Sequence, residues 1–158
     1  MKTADIAKLV FSILLCQAAG IIGSVFTIES IPNWYAFLQK PWFTPPSWLF
    51  GPAWIALYML MGIALFILWK KGIKTENSKA SLSLFAIQLA LNTAWPIIFF
   101  GLRMPALALV EIIFLWVAIA STIFLFWQPS KKAAILLVPC LCWVSFAALL
   151  NYAVWVLN

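Results

Sequence analysis

Trp54 and Tyr58 stand one turn apart on a single face of an apolar helix, and Asn92 and Trp95 share a face of another. Paired this way, these residue types offer flat π surfaces with an amide beside them. That equipment suits holding a large planar apolar ligand better than moving protons. A third face carries Pro139, Trp143, Ala147, Leu150 and Asn151, where small Ala147, one turn from Trp143, leaves room that a larger side chain would fill. Upstream, the stretch from Asn33 to Tyr58 crowds Trp34, Trp42, Trp48 and Trp54 together with Pro41, Pro45, Pro46 and Pro52. Tyr35 and Trp42 in this stiff connector are the expected lid contacts over a pocket, with an aromatic belt at the membrane interface the equal alternative for Trp34, Trp42 and Trp48.

Other chemistries are poorly equipped. The chain has no histidine, which removes the commonest zinc ligand, the commonest axial haem ligand and the usual general base. It has no phosphate-cradling glycine loop and no serine-based triad. Cys16, Cys140 and Cys142 all fall inside apolar segments, where they read as small core residues rather than as a disulfide framework or a metal site. No metal site and no required cofactor is expected. Any catalysis would have to draw on bound substrate, light, oxygen or tryptophan itself.

The elements that position these faces follow from composition. Of 158 residues 66% are hydrophobic and 9% charged, more apolar surface than a soluble domain of this length can hide. Charge-free runs extend over Leu9 to Ile28, Pro41 to Trp69, Ala80 to Leu102, Ile112 to Ser130 and Ala133 to Asn158. Each meets or approaches the roughly 20 residues needed to cross the hydrocarbon core. The fold class expected is an all-α membrane protein, a five-transmembrane-helix bundle forming one domain over residues 1–158, with helices near 6–28, 45–69, 80–101, 105–128 and 132–156. At about 1.5 Å per residue, Trp54, Asn92 and Trp143 lie about 10, 15 and 20 Å below the outer ends of their helices, so they are expected to converge in the outer half of the bundle.

Local signals refine this. Thr44 is placed to cap the second helix with Pro45 at its first position, and Pro52 one turn inside predicts a bend. Gln88 and Asn92 put two amides in hydrocarbon, where both need partners; interhelical bonding suits Gln88, and contact with a ligand suits Asn92. In the first helix Gln17, Gly20, Ser24 and Thr27 form a small polar face able to line the same space, with close helix packing the preferred reading for Gly20 and Ser24. Glu111 is expected to pair with Arg103 or to bond within an oligomer interface.

Five spans put Lys2, Lys8, Lys70, Lys71, Lys74, Lys79, Lys131 and Lys132 on one side of the bilayer and only Lys40 and Arg103 on the other. Eight against two predicts an integral multi-pass protein with its N-terminus in the cytoplasm, the expected site being a bacterial cell membrane. The net charge of +6 then reads as topology and as contact with anionic lipid headgroups, with no nucleic-acid partner.

On these residues the chain resembles the TspO/MBR family, the tryptophan-rich sensory proteins and translocator proteins also called peripheral-type benzodiazepine receptors. The resemblance rests on Trp34-Tyr35 with Lys40-Pro41-Trp42, Pro45-Pro46 with Trp54 and Tyr58, and Leu91-Asn92-Thr93-Ala94-Trp95 with Phe99-Phe100-Gly101. Ala108-Leu109-Val110-Glu111, the run Val138-Pro139 to Trp143, and Leu150-Asn151-Tyr152-Ala153-Val154-Trp155 extend it over nearly the whole chain. It implies a five-helix bundle, a homodimer, and a pocket beneath the first long loop for porphyrin or haem. It places Tyr35, Trp54, Tyr58, Asn92, Trp95, Trp143 and Ala147 at pocket positions, to which the connector reading adds Trp42. One departure matters: animal members carry a basic residue after the terminal tyrosine, whereas Tyr152 is followed only by Ala153, Val154, Trp155, Val156, Leu157 and Asn158. Sterol transport is therefore not carried over, and Asn151 and Tyr152 read as interface anchors.

The resemblance implies a membrane tetrapyrrole-binding sensor, carrier or regulator. Two alternatives stand beside it. One is an oxygen- and light-dependent porphyrin-degrading enzyme, for which Trp54 and Trp143 would be the reactive residues, with no other catalytic residue assigned. The other is a transporter of tetrapyrroles or other small apolar ligands, which the lack of an evident inverted repeat makes less apt.

Overall fold

The computed structural model describes residues 3–72 and 76–158. Lys2 and Lys74, counted above for orientation, lie outside the described residues. Five α-helices run through the described residues: α1 (Thr3–Asn33), α2 (Phe50–Lys71), α3 (Glu76–Pro96), α4 (Pro105–Trp127) and α5 (Lys131–Leu157). All five include segments long and apolar enough to cross a membrane, so the fold is an all-α, multi-pass membrane bundle.

The helices close into a ring in the order α1, α2, α5, α4, α3. Sequence neighbours α1 and α2 touch, as do α3 with α4 and α4 with α5, while α2 reaches across to α5 and α1 to α3. One end of the ring gathers the lysines. Lys70 pairs with Asp5 at 2.9 Å, Lys71 donates to the Pro129 carbonyl at 2.6 Å, and Lys8 and Lys131 each stand 5.7 Å from a tryptophan ring, Trp69 and Trp127. The opposite end carries the connector between α1 and α2. There the backbone N–H of Gln39 donates to Asn158 Oδ1 at 2.9 Å, and Asn158 Nδ2 returns a bond to the Gln39 carbonyl at 3.0 Å, tying the connector to the end of α5.

The second helix starts later than the sequence suggests. The Thr44 hydroxyl donates to the Pro41 carbonyl at 2.8 Å and closes a turn, so it caps nothing. Residues that precede proline avoid the helical region, and Thr44 and Pro45 both do so. Helical backbone begins only at a 3-10 turn, Ser47–Leu49, ahead of α2. Pro52 then falls in the first turn of α2, where a missing N–H costs little, and the expected interior bend has no cause.

Pro96 has the opposite effect. Having no N–H, it cannot donate to the Asn92 carbonyl one turn back, and α3 widens into a π-turn over Ile97–Gly101, with Leu102 N–H bonding Ile97 O at 2.8 Å. Neighbours take up the freed groups: Tyr58 Oη donates to the Asn92 carbonyl at 3.3 Å and Ser30 Oγ to the Phe100 carbonyl at 2.7 Å. The wider turn drives Phe99 and Phe100 into the bundle, both buried, with Phe99 stacked on Trp95 at 5.1 Å.

Small residues let the helices approach. A side-chain carbon on Gly23 would lie 2.6 Å from the Pro96 ring, and one on Gly62 would lie 2.7 Å from the Ile13 backbone. These glycines set the α1–α3 and α1–α2 distances.

Candidate functional site

Between α1, the start of α2 and the end of α3 lies a cavity of about 430 Å³, inside the usual ~300–1,000 Å³ range of small-molecule sites. Helix α1 supplies Gln17, Gly20, Gly23, Ser24, Thr27 and several isoleucines; the second wall is Ser47, Trp48, Phe50, Gly51, Trp54, Ile55 and Tyr58; α3 closes the back with Asn92, Trp95, Pro96 and Phe100. No lining residue is charged.

Trp54 and Tyr58 form one wall, their rings 5.7 Å apart and tilted by 33°. Gly20 permits this, because a Cβ there would sit 2.5 Å from the Tyr58 ring. Gly20 therefore both packs and lines, where the sequence favoured packing alone. Asn92, 1% exposed, spends its amide N–H on the Gln88 carbonyl at 3.0 Å and leaves Oδ1 without a partner among the described residues. That oxygen is packed inside the bundle, and a buried acceptor is costly to leave unmet. Trp95 is oriented by Asn151, whose Oδ1 accepts the indole N–H at 3.2 Å while its amide donates to the Pro105 carbonyl at 2.8 Å.

Of the eight expected pocket residues, the structure brings Trp54, Tyr58, Asn92 and Trp95 to this cavity. The other four are elsewhere. Trp143 stands behind Trp54, edge-on at 6.4 Å, and backs the wall without lining it. Tyr35 and Ala147 border a separate void of about 20 Å³, walled also by Phe50, Trp95, Phe99 and Phe100. Burial pushes the Tyr35 phenol up to about 12, and Lys40 Nζ stands 5.0 Å from its ring. The hydroxyl stays protonated. Trp42 is 94% exposed, because the Pro41–Thr44 turn points it off the bundle, with the Phe43 ring 5.8 Å away.

Other expectations are also revised. Asn151 is 1% exposed and brackets three helices, so it is no interface anchor, whereas Tyr152 is exposed. Glu111 does not pair with Arg103: it lies on the buried face of α4 with Ala108, Ile112 and Leu115, and neither carboxylate oxygen has a hydrogen-bond partner among the described residues. Cys142 is exposed, and only Cys16 and Cys140 are core. Sequence reasoning missed Phe50, Pro96 and Phe100 as lining residues. The proline was the available signal for the π-turn that delivers Phe100.

Ala147 yields a direct prediction. A void of about 20 Å³ cannot take a phenyl ring, so Ala147→Phe should destabilise the bundle by about 1–3 kcal/mol through overpacking. Thermal unfolding in detergent reads this; an unchanged midpoint would mean the space beneath Tyr35 is larger than it stands here.

The profile of the TspO/MBR family matches residues 12–156. The chain is 49% identical over 155 residues to the tryptophan-rich protein TspO of Archaeoglobus fulgidus, covering 98% of this chain and 99% of that one. It is 45% identical over 135 residues to the human translocator protein, covering 85% and 80% of the two chains. To the tryptophan-rich sensory protein of Cereibacter sphaeroides it is 36% identical over 143 residues, covering 90% and 86%.

Proposed function

This chain belongs to the TspO/MBR family, and from that premise we propose that it is an integral membrane protein that binds a tetrapyrrole, porphyrin or haem, and acts as a sensor, carrier or regulator of tetrapyrrole levels. The observation that carries this reading is the uncharged, aromatic-walled cavity of about 430 Å³ between α1, α2 and α3. Its chemistry fits a ring. Trp54, Tyr58, Trp95 and Phe100 offer π surfaces to a planar ring. The lining holds no histidine, cysteine or methionine, and the Tyr58 hydroxyl already donates to Asn92, so recognition rests on the ring rather than on a bound iron. Carboxylates on the ring edge have no cation to meet inside and must stay at the cavity mouth, in contact with water or headgroups.

The proposal includes a cytoplasmic N-terminus. Lys8, Lys70, Lys71, Lys79, Lys131 and Lys132 belong to the helix ends on one side of the ring, with Lys40 and Arg103 on the other. A homodimer in lipid is part of the same reading. Oxidative degradation of the ligand is supported by one observation, the Trp54–Trp143 pair with Trp54 at the cavity wall. Product analysis of a bound porphyrin under light, with and without oxygen, separates it from simple binding.

Titration of the solubilised protein with protoporphyrin tests the main reading. Saturable quenching of tryptophan fluorescence with one-to-one stoichiometry is expected, since a ring in this cavity lies against several indoles. Linear, unsaturable quenching would remove the proposal.

A further inference from the structure

We propose that the cavity fills sideways from the bilayer, through a slot between the connector-side half of α1 and the first turns of α2, so that its ligand is an amphiphile already dissolved in that leaflet. This inference rests on the binding function proposed above.

The rim is the first observation. Ile21 and Ile28 of α1 and Trp48 and Ile55 beside them line the cavity, yet they are 64%, 71%, 71% and 60% exposed. They face inward and outward at once, as the lips of an opening do. All four are apolar, the composition of a surface that meets lipid tails rather than water.

The second observation is where α1 and α2 part. Towards the lysine-rich end they are shut together: Gly62 sits against the Ile13 backbone, and Gln17 Nε2 donates to the Ile55 carbonyl at 3.0 Å. Beyond that bond Gly20 still meets the Tyr58 ring, the last such close approach before the connector. A Cβ built on Gly51 meets no atom within 4 Å, although Gly51 lines the cavity. The slot thus runs from Ile21 to Ile31, about 15 Å at 1.5 Å per residue, ending at Trp48 beside the interface.

The other sides of the cavity are held by close contacts. On the α3 side, Gly23 meets Pro96, Thr93 Oγ1 donates to the Ala19 carbonyl at 3.3 Å, and Ser30 bonds Phe100. From above, Tyr35 is 3% exposed under the connector, which Gln39 and Asn158 clasp to α5. Helices α4 and α5 contribute no lining at all. A planar ring entering edgewise between α1 and α2 keeps its carboxylates at headgroup level throughout, which a charge-free cavity requires.

The test uses the full chain in phosphatidylcholine vesicles with protoporphyrin dissolved in the lipid. Stopped-flow quenching reads association, and transfer to protein-free acceptor vesicles reads release. Association should scale with the porphyrin mole fraction in the bilayer. Gly51→Phe and Ile28→Trp place bulk in open space and should slow both association and release at least tenfold. Slower release is the decisive sign, because a merely damaged site would release faster. Asn158→Ala, which unclasps the connector, should leave both rates within twofold. Release accelerated by Asn158→Ala and untouched by the two slot variants would overturn the inference and put the route beneath the connector; faster release from the slot variants would overturn it too. Absence of saturable quenching by the unmodified protein would instead remove the binding function itself, and this inference with it.

Discussion

Trp54→Ala is expected to weaken protoporphyrin binding by about 2–3 kcal/mol, roughly 30- to 150-fold, the largest single loss among the cavity residues. An indole buries about 150–250 Å², and if a ligand covers about half of that at the Trp54 wall, about 25 cal/mol per Å² accounts for the whole of this loss. Trp143→Ala should cost less, about tenfold at most, since Trp143 supports Trp54 from behind at 6.4 Å and touches no cavity space. Parallel titrations of the two variants by porphyrin absorbance decide it. Equal losses, or a larger loss at Trp143, would place the ligand on the α5 side of Trp54, in the space the sequence alone suggested.

That contrast shows what a sequence carries and what it does not. Five apolar runs of spanning length leave few alternatives to a helical membrane bundle, because backbone groups in hydrocarbon must be satisfied within the segment. Faces are legible too: the spacing of Trp54 with Tyr58, and of Asn92 with Trp95, follows from helix geometry whatever the neighbours. Depth is legible from rise per residue. Azimuth is not. Trp143 lies at a suitable height, yet the ring order sets α5 behind α2, and α1 with its small residues takes the place facing Trp54. That order is decided by close approaches such as Gly23 with Pro96 and Gly62 with Ile13, between residues far apart in the chain whose pairing no local pattern displays. The connector fails for a related reason: aromatic content suggested a lid of Tyr35 and Trp42, but Thr44 folds back on Pro41 and turns Trp42 outward, and Tyr35 packs edge-on against Phe50, Phe99 and Phe100 over its own small void.

Gly20 and Pro96 also show how packing and site share residues. Pro96 frees the Asn92 carbonyl, Tyr58 takes that carbonyl, and Tyr58 can lie there only because Gly20 has no side chain. Three helices therefore fix one wall of the cavity through a single hydrogen bond and a missing Cβ. A wall built this way is preorganised, which lowers the ordering cost of binding a rigid ring.

The same close approach makes Gly62 the position where the fold should be least forgiving. A Cβ at Gly62 would stand 2.7 Å from Ile13 Cα and 3.1 Å from Ile13 N, both backbone atoms that cannot rotate aside. Gly62→Leu must then push α1 away from α2 along the seam that also holds the Gln17–Ile55 bond, and overpacking of this kind costs about 1–3 kcal/mol or more. Gly51→Ala is the matched control. Its Cβ meets open space in the first turn of α2, so the change should be neutral or stabilising by up to about 1 kcal/mol, as expected when glycine is replaced within a helix. Heating both variants in detergent and following helical circular dichroism should show a midpoint several degrees lower for Gly62→Leu and none lower for Gly51→Ala. If Gly62→Leu melts with the unmodified protein, α1 is not seated on α2 at Ile13, and the seal that bounds the lower end of the cavity would have to lie elsewhere.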